Sequence, residues 1–294
     1  MREEVLRSFA GTILCQYLGK STSILQVQRL TGGCINESYK IVSRAGDFFL
    51  KHNQAKFEIQ FKKEADSLSI LRETGTLDVP EVLQIGTHEN RAYLLMEFIQ
   101  PKPVSHEFWE KLGANLAKLH RTTPANQKFG LTFDNYIGEL PQKNDFKTDW
   151  IEFFIENRLE PQATLARDNQ LISDDFLKRF HKFYNELPAL LPEEPPSLIH
   201  GDLWSGNFLS GPNGQAVLID PAIYFGNREI ELAFTHLFGG FSPEFYASYQ
   251  RTWPLAPGFQ ERVEIHNLYP LLVHVNLFGT SYLTGVEKVI RKYT

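Results

Sequence analysis

The sequence predicts an α+β chain of two lobes, a small N-terminal one over 1–99 and a larger, mostly helical one over 100–294. Three observations carry this. Strand-like alternation fills most of 27–99 around a single helix-period stretch. Helical spacing dominates after Gln100-Pro101-Lys102-Pro103. A strand–loop–strand pattern then returns at 197–221, deep inside the helical part.

Taken in order, Phe9, Ile13, Leu14, Tyr17 and Leu18 recur at helical spacing, so 2–18 is a helix. Strands are expected near Val27–Thr31, Tyr39–Ser43 and Asp47–His52, the last two joined by a turn at Arg44–Gly46. Phe61, Ala65, Leu68 and Leu71 mark the buried face of a helix over 57–74. Strands at Glu81–Thr87 and Ala92–Ile99 follow; the second is apolar on both faces and reads as a buried edge strand leading into a proline-bearing hinge. Beyond it, helices are expected at 107–121, 148–166, 173–186, 228–238, 243–252, 258–283 and 284–293, with 187–196 extended. Leu119-His120-Arg121 is expected to pack near the loop that follows Ile199.

Bulk properties narrow the function classes. A 42% hydrophobic, 22% charged chain is ordinary for a soluble globular protein. The net charge of −5 gives no basic surface for nucleic acid. No window approaches the roughly 20 apolar residues of a membrane span. Two cysteines, Cys15 and Cys34, fit a reducing compartment and a cytoplasmic reading.

The chemistry concentrates in Ser197–Pro221. Leu198-Ile199 reads as one strand and Gln215–Ile219 as another, with a turn at Gly211-Pro212-Asn213-Gly214. This arrangement is expected to gather Asp202, Asn207 and Asp220. Asp202 suits an attacking hydroxyl, while Asn207 and Asp220 offer oxygen ligands to Mg²⁺, a hard cation that keeps substrate phosphates in its shell. The Asp-x4-Asn spacing, followed by a strand and an aspartate, matches the catalytic and metal loops of kinases and points to phosphoryl transfer from ATP.

Other residues fall in with that reading. Gly32-Gly33-Cys34-Ile35-Asn36 lies between strands, and adjacent glycines let backbone N–H groups approach phosphate oxygens. On the third strand Phe49 and Lys51 share one face, Phe48 and Leu50 the other. Lys51 is either an exposed strand lysine or a phosphate-binding group paired with a carboxylate. Glu64, beside the apolar stripe of the helix, is preferred as its partner over Glu58, which suits the helix dipole. At the hinge, the backbone of Glu97 and Ile99 is expected to read adenine, with Met96 lining the pocket. Cys34 is either an inert small residue or a redox-sensitive thiol in the phosphate loop.

The order of glycine loop, Lys51, Glu64, hinge, Asp202, Asn207 and Asp220 resembles the protein-kinase-like superfamily, and within it the aminoglycoside and choline phosphotransferase branch. Three stretches are more particular: Gly32–Glu37, His200-Gly201-Asp202-Leu203-Trp204-Ser205-Gly206-Asn207, and Asp220 through Phe241. Together they are similar to the fructosamine kinase (ketosamine 3-kinase) family over essentially the whole chain. The resemblance implies a bilobal kinase-like fold and ATP- and Mg²⁺-dependent phosphorylation of the 3-hydroxyl of a ketosamine, free or on a glycated protein lysine. It implies Asp202 as catalytic base, Asn207 and Asp220 as metal ligands and Lys51 with Glu64 as the phosphate-binding couple. Trp204 is implied as a sugar platform, against the alternative of a packing residue. His274 is either a substrate contact or a core histidine. The competing reading is another small-molecule kinase, acting on an aminoglycoside, choline or a related amine.

Overall fold

Alternation on one strand sets up the N-terminal sheet. The computed structural model describes residues 3–30 and 36–294. The chain divides into two compact units, Met1–Ser105 with Phe208–Asp220, and His106–Asn207 with Pro221–Thr294. The first opens with helix α1 (Glu3–Leu18), followed by strands β1 (Ile24–Leu30), β2 (Glu37–Ser43) and β3 (Gly46–Gln54). Helix α2 (Glu58–Glu73) precedes β4 (Val82–His88) and β5 (Arg91–Glu97). The strands form one antiparallel sheet in the order β1-β2-β3-β5-β4. Phe48 and Leu50 of β3 join Tyr39, Ile41, Tyr93 and Leu95 beneath Leu6, Phe9, Ala10, Ile13 and Leu14 of α1. Burying side chains of this size is worth roughly 1.5–3 kcal/mol each. Lys51, out of phase with that core, reaches instead toward α2.

β5 is not the edge strand the sequence suggests. It lies between β3 and β4, which explains why Ala92–Met96 are all buried. A second difference concerns the later hairpin. Its arms are Phe208–Ser210 and Ala216–Leu218, turning through the expected Gly211–Gly214. Leu198 and Ile199 belong elsewhere: Ser197–Ile199 pairs with Tyr224–Gly226, a strand the sequence reading does not contain. The hairpin is fastened to the first unit by Leu218 N–H donating to Asp78 O (2.8 Å) and Lys102 N–H donating to Ser210 O (2.8 Å). The units therefore part at Ser105 and include a returning segment, where the sequence suggests a single boundary after residue 99.

The second unit is mainly helical. Helix His106–His120 packs on Pro243–Thr252, as their apolar spacing requires. The expected helix 148–166 is interrupted by a π-helical turn, Ile155–Leu159, which buries Arg158 completely. The Arg158 guanidinium donates to Lys143 O and Asn144 Oδ1 and stacks on Tyr224 at 3.8 Å. Leu187–Leu190, expected to be extended, forms a helical turn because Pro188 suits a helix start and Leu187 is fully buried. The expected run 258–283 separates into Phe259–His266 and Leu268–Phe278. Pro270 supplies no N–H, so the second helix begins afresh, and Asn267 Nδ2 at the joint donates to Ala233 O. A two-stranded ribbon, Asn135–Ile137 with Leu140–Gln142, was not signalled by any alternation. No helix among the described residues is long and apolar enough to cross a membrane.

Asn227, Arg228 and Glu229 organise the helix Arg228–Leu237. Asn227 caps it through Glu229 N–H, and Arg228 forks onto Glu194 (3.0 and 2.9 Å). Glu229, fully buried, accepts two hydrogen bonds from Arg262 (2.7 and 2.6 Å). Burial opposes its ionisation, but Arg262 and His266 outweigh it and hold the carboxyl down at about 2. Its stabilisation is present above the ordinary carboxylate pKa and lost as pH falls from there toward 2. Breaking such a pair leaves a buried guanidinium alone and costs about 3–5 kcal/mol. Glu229→Gln is thus expected to lower the urea midpoint markedly at pH 7, with the difference from wild type shrinking below pH 4, measured by chemical denaturation across pH.

Candidate active site

Within the first unit, β3 and α2 bring a lysine and a carboxylate together. Lys51 Nζ lies 2.8 Å from Glu64 Oε1 and 2.6 Å from Asp220 Oδ1. Glu58, the alternative partner, pairs with Lys62 one turn along its own helix. Lys51 is almost wholly buried, whereas the Asp220 side chain is 42% exposed. Burial alone would depress the Lys51 ammonium, yet Asp220 and Glu64 outweigh it and raise its pKa. Burial pushes the Glu64 carboxyl up; Lys51 opposes this and the second carboxylate adds to it. One ammonium thus faces two carboxylates, of which Glu64 is held up toward its neutral form by burial and by Asp220. Asp220 follows the hairpin with φ +54°, a left-handed conformation that aspartate tolerates better than most residues and that commonly marks functional turns.

A half-exposed carboxylate such as Asp220 is chemically suited to a divalent cation. No cage of three or more His, Cys, Asp or Glu side chains exists among the described residues. Mg²⁺ does not require one, since it is held by one or two protein oxygens together with substrate phosphates and water.

The hinge residues occupy the end of β5. Met96 is buried, and Glu97 N–H donates to Glu81 O (2.9 Å) while its carboxylate accepts from Glu81 N–H (2.8 Å). Ile99 lies half-buried past the strand. Asn36 Oδ1 accepts from Asn53 Nδ2 of β3 (2.8 Å), tying the end of the glycine segment to the sheet. Gly32, Gly33, Cys34 and Ile35 lie outside the described residues.

In the second unit, the loop after Ser197–Ile199 holds Asp202 and Asn207. Asn207 Nδ2 donates to both Asp202 O (2.8 Å) and Asp202 Oδ2 (2.9 Å). With Nδ2 engaged in this way, the amide oxygen is the end of the side chain that could serve as an oxygen ligand. Gly201 adopts φ +83°, and a Cβ there would stand 2.1 Å from Ala222 O. The loop is pinned further by Glu231 and Tyr249, which the sequence reading did not single out, acting with His120, which it did. Glu231 Oε1 accepts from Gly201 N–H (2.8 Å), its other oxygen meets His120 Nε2 (2.7 Å), and His120 Nδ1 meets Tyr249 Oη (2.8 Å). Burial works against the Glu231 carboxylate, but His120 and Gly201 N–H hold its pKa below the ordinary value. The available signal was a lone acid within Ile230-Glu231-Leu232-Ala233-Phe234, since a buried carboxylate demands partners. His120 does lie beside the loop, as its sequence neighbourhood suggests.

Asp202, Tyr269 and His274 line a cavity of about 20 Å³, room for roughly one water. His274 is half-buried, its Nδ1 at 2.7 Å from Pro270 O; burial lowers its pKa, so the ring is neutral and donates through Nδ1. Trp204 is half-buried and folds over Gly206, where a Cβ would meet the indole at 2.3 Å.

Comparison with known proteins settles the family. The fructosamine kinase model matches residues 8–294. The chain belongs to the fructosamine kinase family. Its members are kinases that transfer a phosphoryl group from ATP to a hydroxyl. A Vibrio parahaemolyticus protein named probable ketoamine kinase is 39% identical, over 99% of each chain. A chloroplastic protein-ribulosamine 3-kinase of Arabidopsis thaliana is 35% identical, over 94% of this chain and 84% of its own. The crystal structure of a candidate fructosamine-3-kinase from Haemophilus somnus superposes with a TM-score of 0.86 at 29% identity, over 97% of this chain and 96% of that one. Aminoglycoside phosphotransferase APH(4)-Ia shares the fold at 17% identity, with a TM-score of 0.61, over 98% of this chain and 99% of that one.

The contact between Gly206 and Trp204 yields a test. Gly206→Ala is expected to push the indole aside without strain in the backbone, raising KM for the hydroxyl substrate about tenfold and leaving KM for ATP unchanged. Steady-state kinetics with each substrate varied in turn, beside tryptophan fluorescence, measures it.

Proposed function

We propose that this protein phosphorylates the 3-hydroxyl of ketosamines, the rearranged adducts of sugars with amines, at the expense of ATP. The observation that carries the kinase half is the buried Lys51 ammonium shared by Glu64 and Asp220. The substrate half is supported by family membership and by relatives named ketoamine kinase and ribulosamine 3-kinase. An aminoglycoside substrate has only a shared fold in its favour.

In this reading Lys51, oriented by Glu64, receives the α- and β-phosphates of ATP, and the segment Gly32–Asn36 covers them. Glu97 and Ile99 offer backbone groups to adenine beside Met96. Asn207 and Asp220 hold Mg²⁺, which neutralises charge on the phosphates. Asp202 orients the 3-hydroxyl and takes its proton as the oxygen bonds to the γ-phosphorus and the bond to ADP breaks. Asn207, by donating to Oδ2, keeps that carboxylate in place. Trp204 and His274 contact the sugar, the indole face suiting its C–H groups. Catalysis then rests on positioning and charge neutralisation.

The chemistry gives the product a purpose. O3 sits on C3, next to the C2 carbonyl. Loss of a C1 proton gives a 1,2-enaminol that expels phosphate from C3 far more readily than hydroxide, and water then hydrolyses the resulting C1=N bond to release the amine. Free ketosamines and glycated protein lysines are the proposed substrates, in a reducing cytoplasm consistent with two cysteines in the sequence. Incubation of wild type with Mg·ATP and a fructosamine is expected to give a phosphomonoester on C3 by ³¹P NMR, and to give none with choline or an aminoglycoside. Asp202→Asn is expected to lower kcat at least about 10²-fold with ATP affinity kept. Phosphorylation of the aminoglycoside alone would reverse the substrate assignment.

A further inference from the structure

The second unit carries a group of aromatic side chains that the roles above leave largely unused. Phe238 and Phe278 are 42% and 48% exposed, and they lie together where exposed apolar side chains elsewhere are scattered. They are neighbours through His274. The Phe238 ring lies 4.9 Å from His274, Phe278 lies 5.4 Å from it and Tyr282 4.9 Å, centroid to centroid. Phe238 also meets Trp204 edge-on at 6.5 Å. His274 lines the same small cavity as Asp202, so through His274 this aromatic tier borders the proposed site of the acceptor hydroxyl.

Substrate chemistry determines what can occupy the tier. In a ketosamine the path O3–C3–C2–C1–N spans at most about 5 Å, so fixing O3 at Asp202 also fixes the nitrogen nearby. That nitrogen is a secondary amine, protonated at neutral pH, and it carries the substituent that varies from one ketosamine to another. Ring faces attract an ammonium and bury apolar carbon at once. His274, held neutral with Nδ1 donating to Pro270 O, adds no competing positive charge.

Building on the ketosamine reading, we infer that Phe238, Phe278 and Tyr282 form the subsite for the amine end of the substrate and make the enzyme prefer ketosamines of bulky apolar or aromatic amines. The sugar is recognised deeper, and the tier reads what the sugar has modified.

The test uses fructose adducts of methylamine, of Nα-protected lysine and of benzylamine, which share the sugar and differ only in the amine. Wild type is expected to show kcat/KM rising from methylamine to benzylamine. In Phe238→Ala and Phe278→Ala, with folding checked by circular dichroism and thermal melting, kcat/KM for the benzylamine adduct is expected to fall about tenfold while the methylamine adduct stays within about twofold. Equal losses on all three adducts, no loss on any, or a wild type indifferent to the amine would each overturn the subsite. Failure of wild type to phosphorylate any adduct would instead remove the ketosamine reading, and this inference with it.

Discussion

The site depends on one ammonium placed between two carboxylates. Lys51 is buried, and a buried cation survives only where opposite charge outweighs desolvation. Glu64 provides a fixed partner from α2, and Asp220 a second, half-exposed one from the end of the hairpin. The two carboxylates keep Lys51 charged, and Asp220 is the more exposed of them. The sheet order, the seat of α1 on one face and the attachment of the hairpin to Asp78 and Lys102 all serve to hold these three groups.

The second unit solves a related problem for the loop that bears Asp202. A loop cannot be rigid through its own backbone bonds alone, and here buried polar groups fasten it from the side. Glu231 receives Gly201 N–H and is itself matched by His120, which is matched by Tyr249. Glu229, two residues earlier and so on the opposite side of the same helix, is committed to Arg262 and packing between helices. Two neighbouring acids of one helix thus divide between positioning and stability, and both are fully satisfied. That is the condition under which buried charge rigidifies a fold.

Much of the first unit was legible because strand alternation is strict. Once Phe48 and Leu50 face the core, Lys51 must face the other way, and the stripe of Phe61, Leu68 and Leu71 puts Glu64 within its reach. The later hairpin was only half legible. Three-residue strands have too little pattern to reveal their partners, so the sequence groups Leu198 and Ile199 with 215–219, whereas they pair with Phe225 and its neighbours. The buried position of β5 was misleading, since continuous apolarity marks burial and says nothing of edge or centre. Contacts such as Gly201 with Glu231, and the gathering of Phe238, Phe278 and Tyr282 around His274, join residues far apart in sequence. Composition gives a reason to look for partners there, but no means of choosing them.

The most direct test of the central claim is calorimetric titration of Mg·ATP into wild type and Lys51→Met, a substitution that keeps the side-chain length and removes the charge. The account predicts that the variant loses at least about tenfold in Mg·ATP affinity, consistent with loss of a charge-assisted contact to phosphate. Unchanged Mg·ATP affinity in the Lys51→Met protein would contradict the assignment of this ammonium and its two carboxylates as the nucleotide-phosphate site.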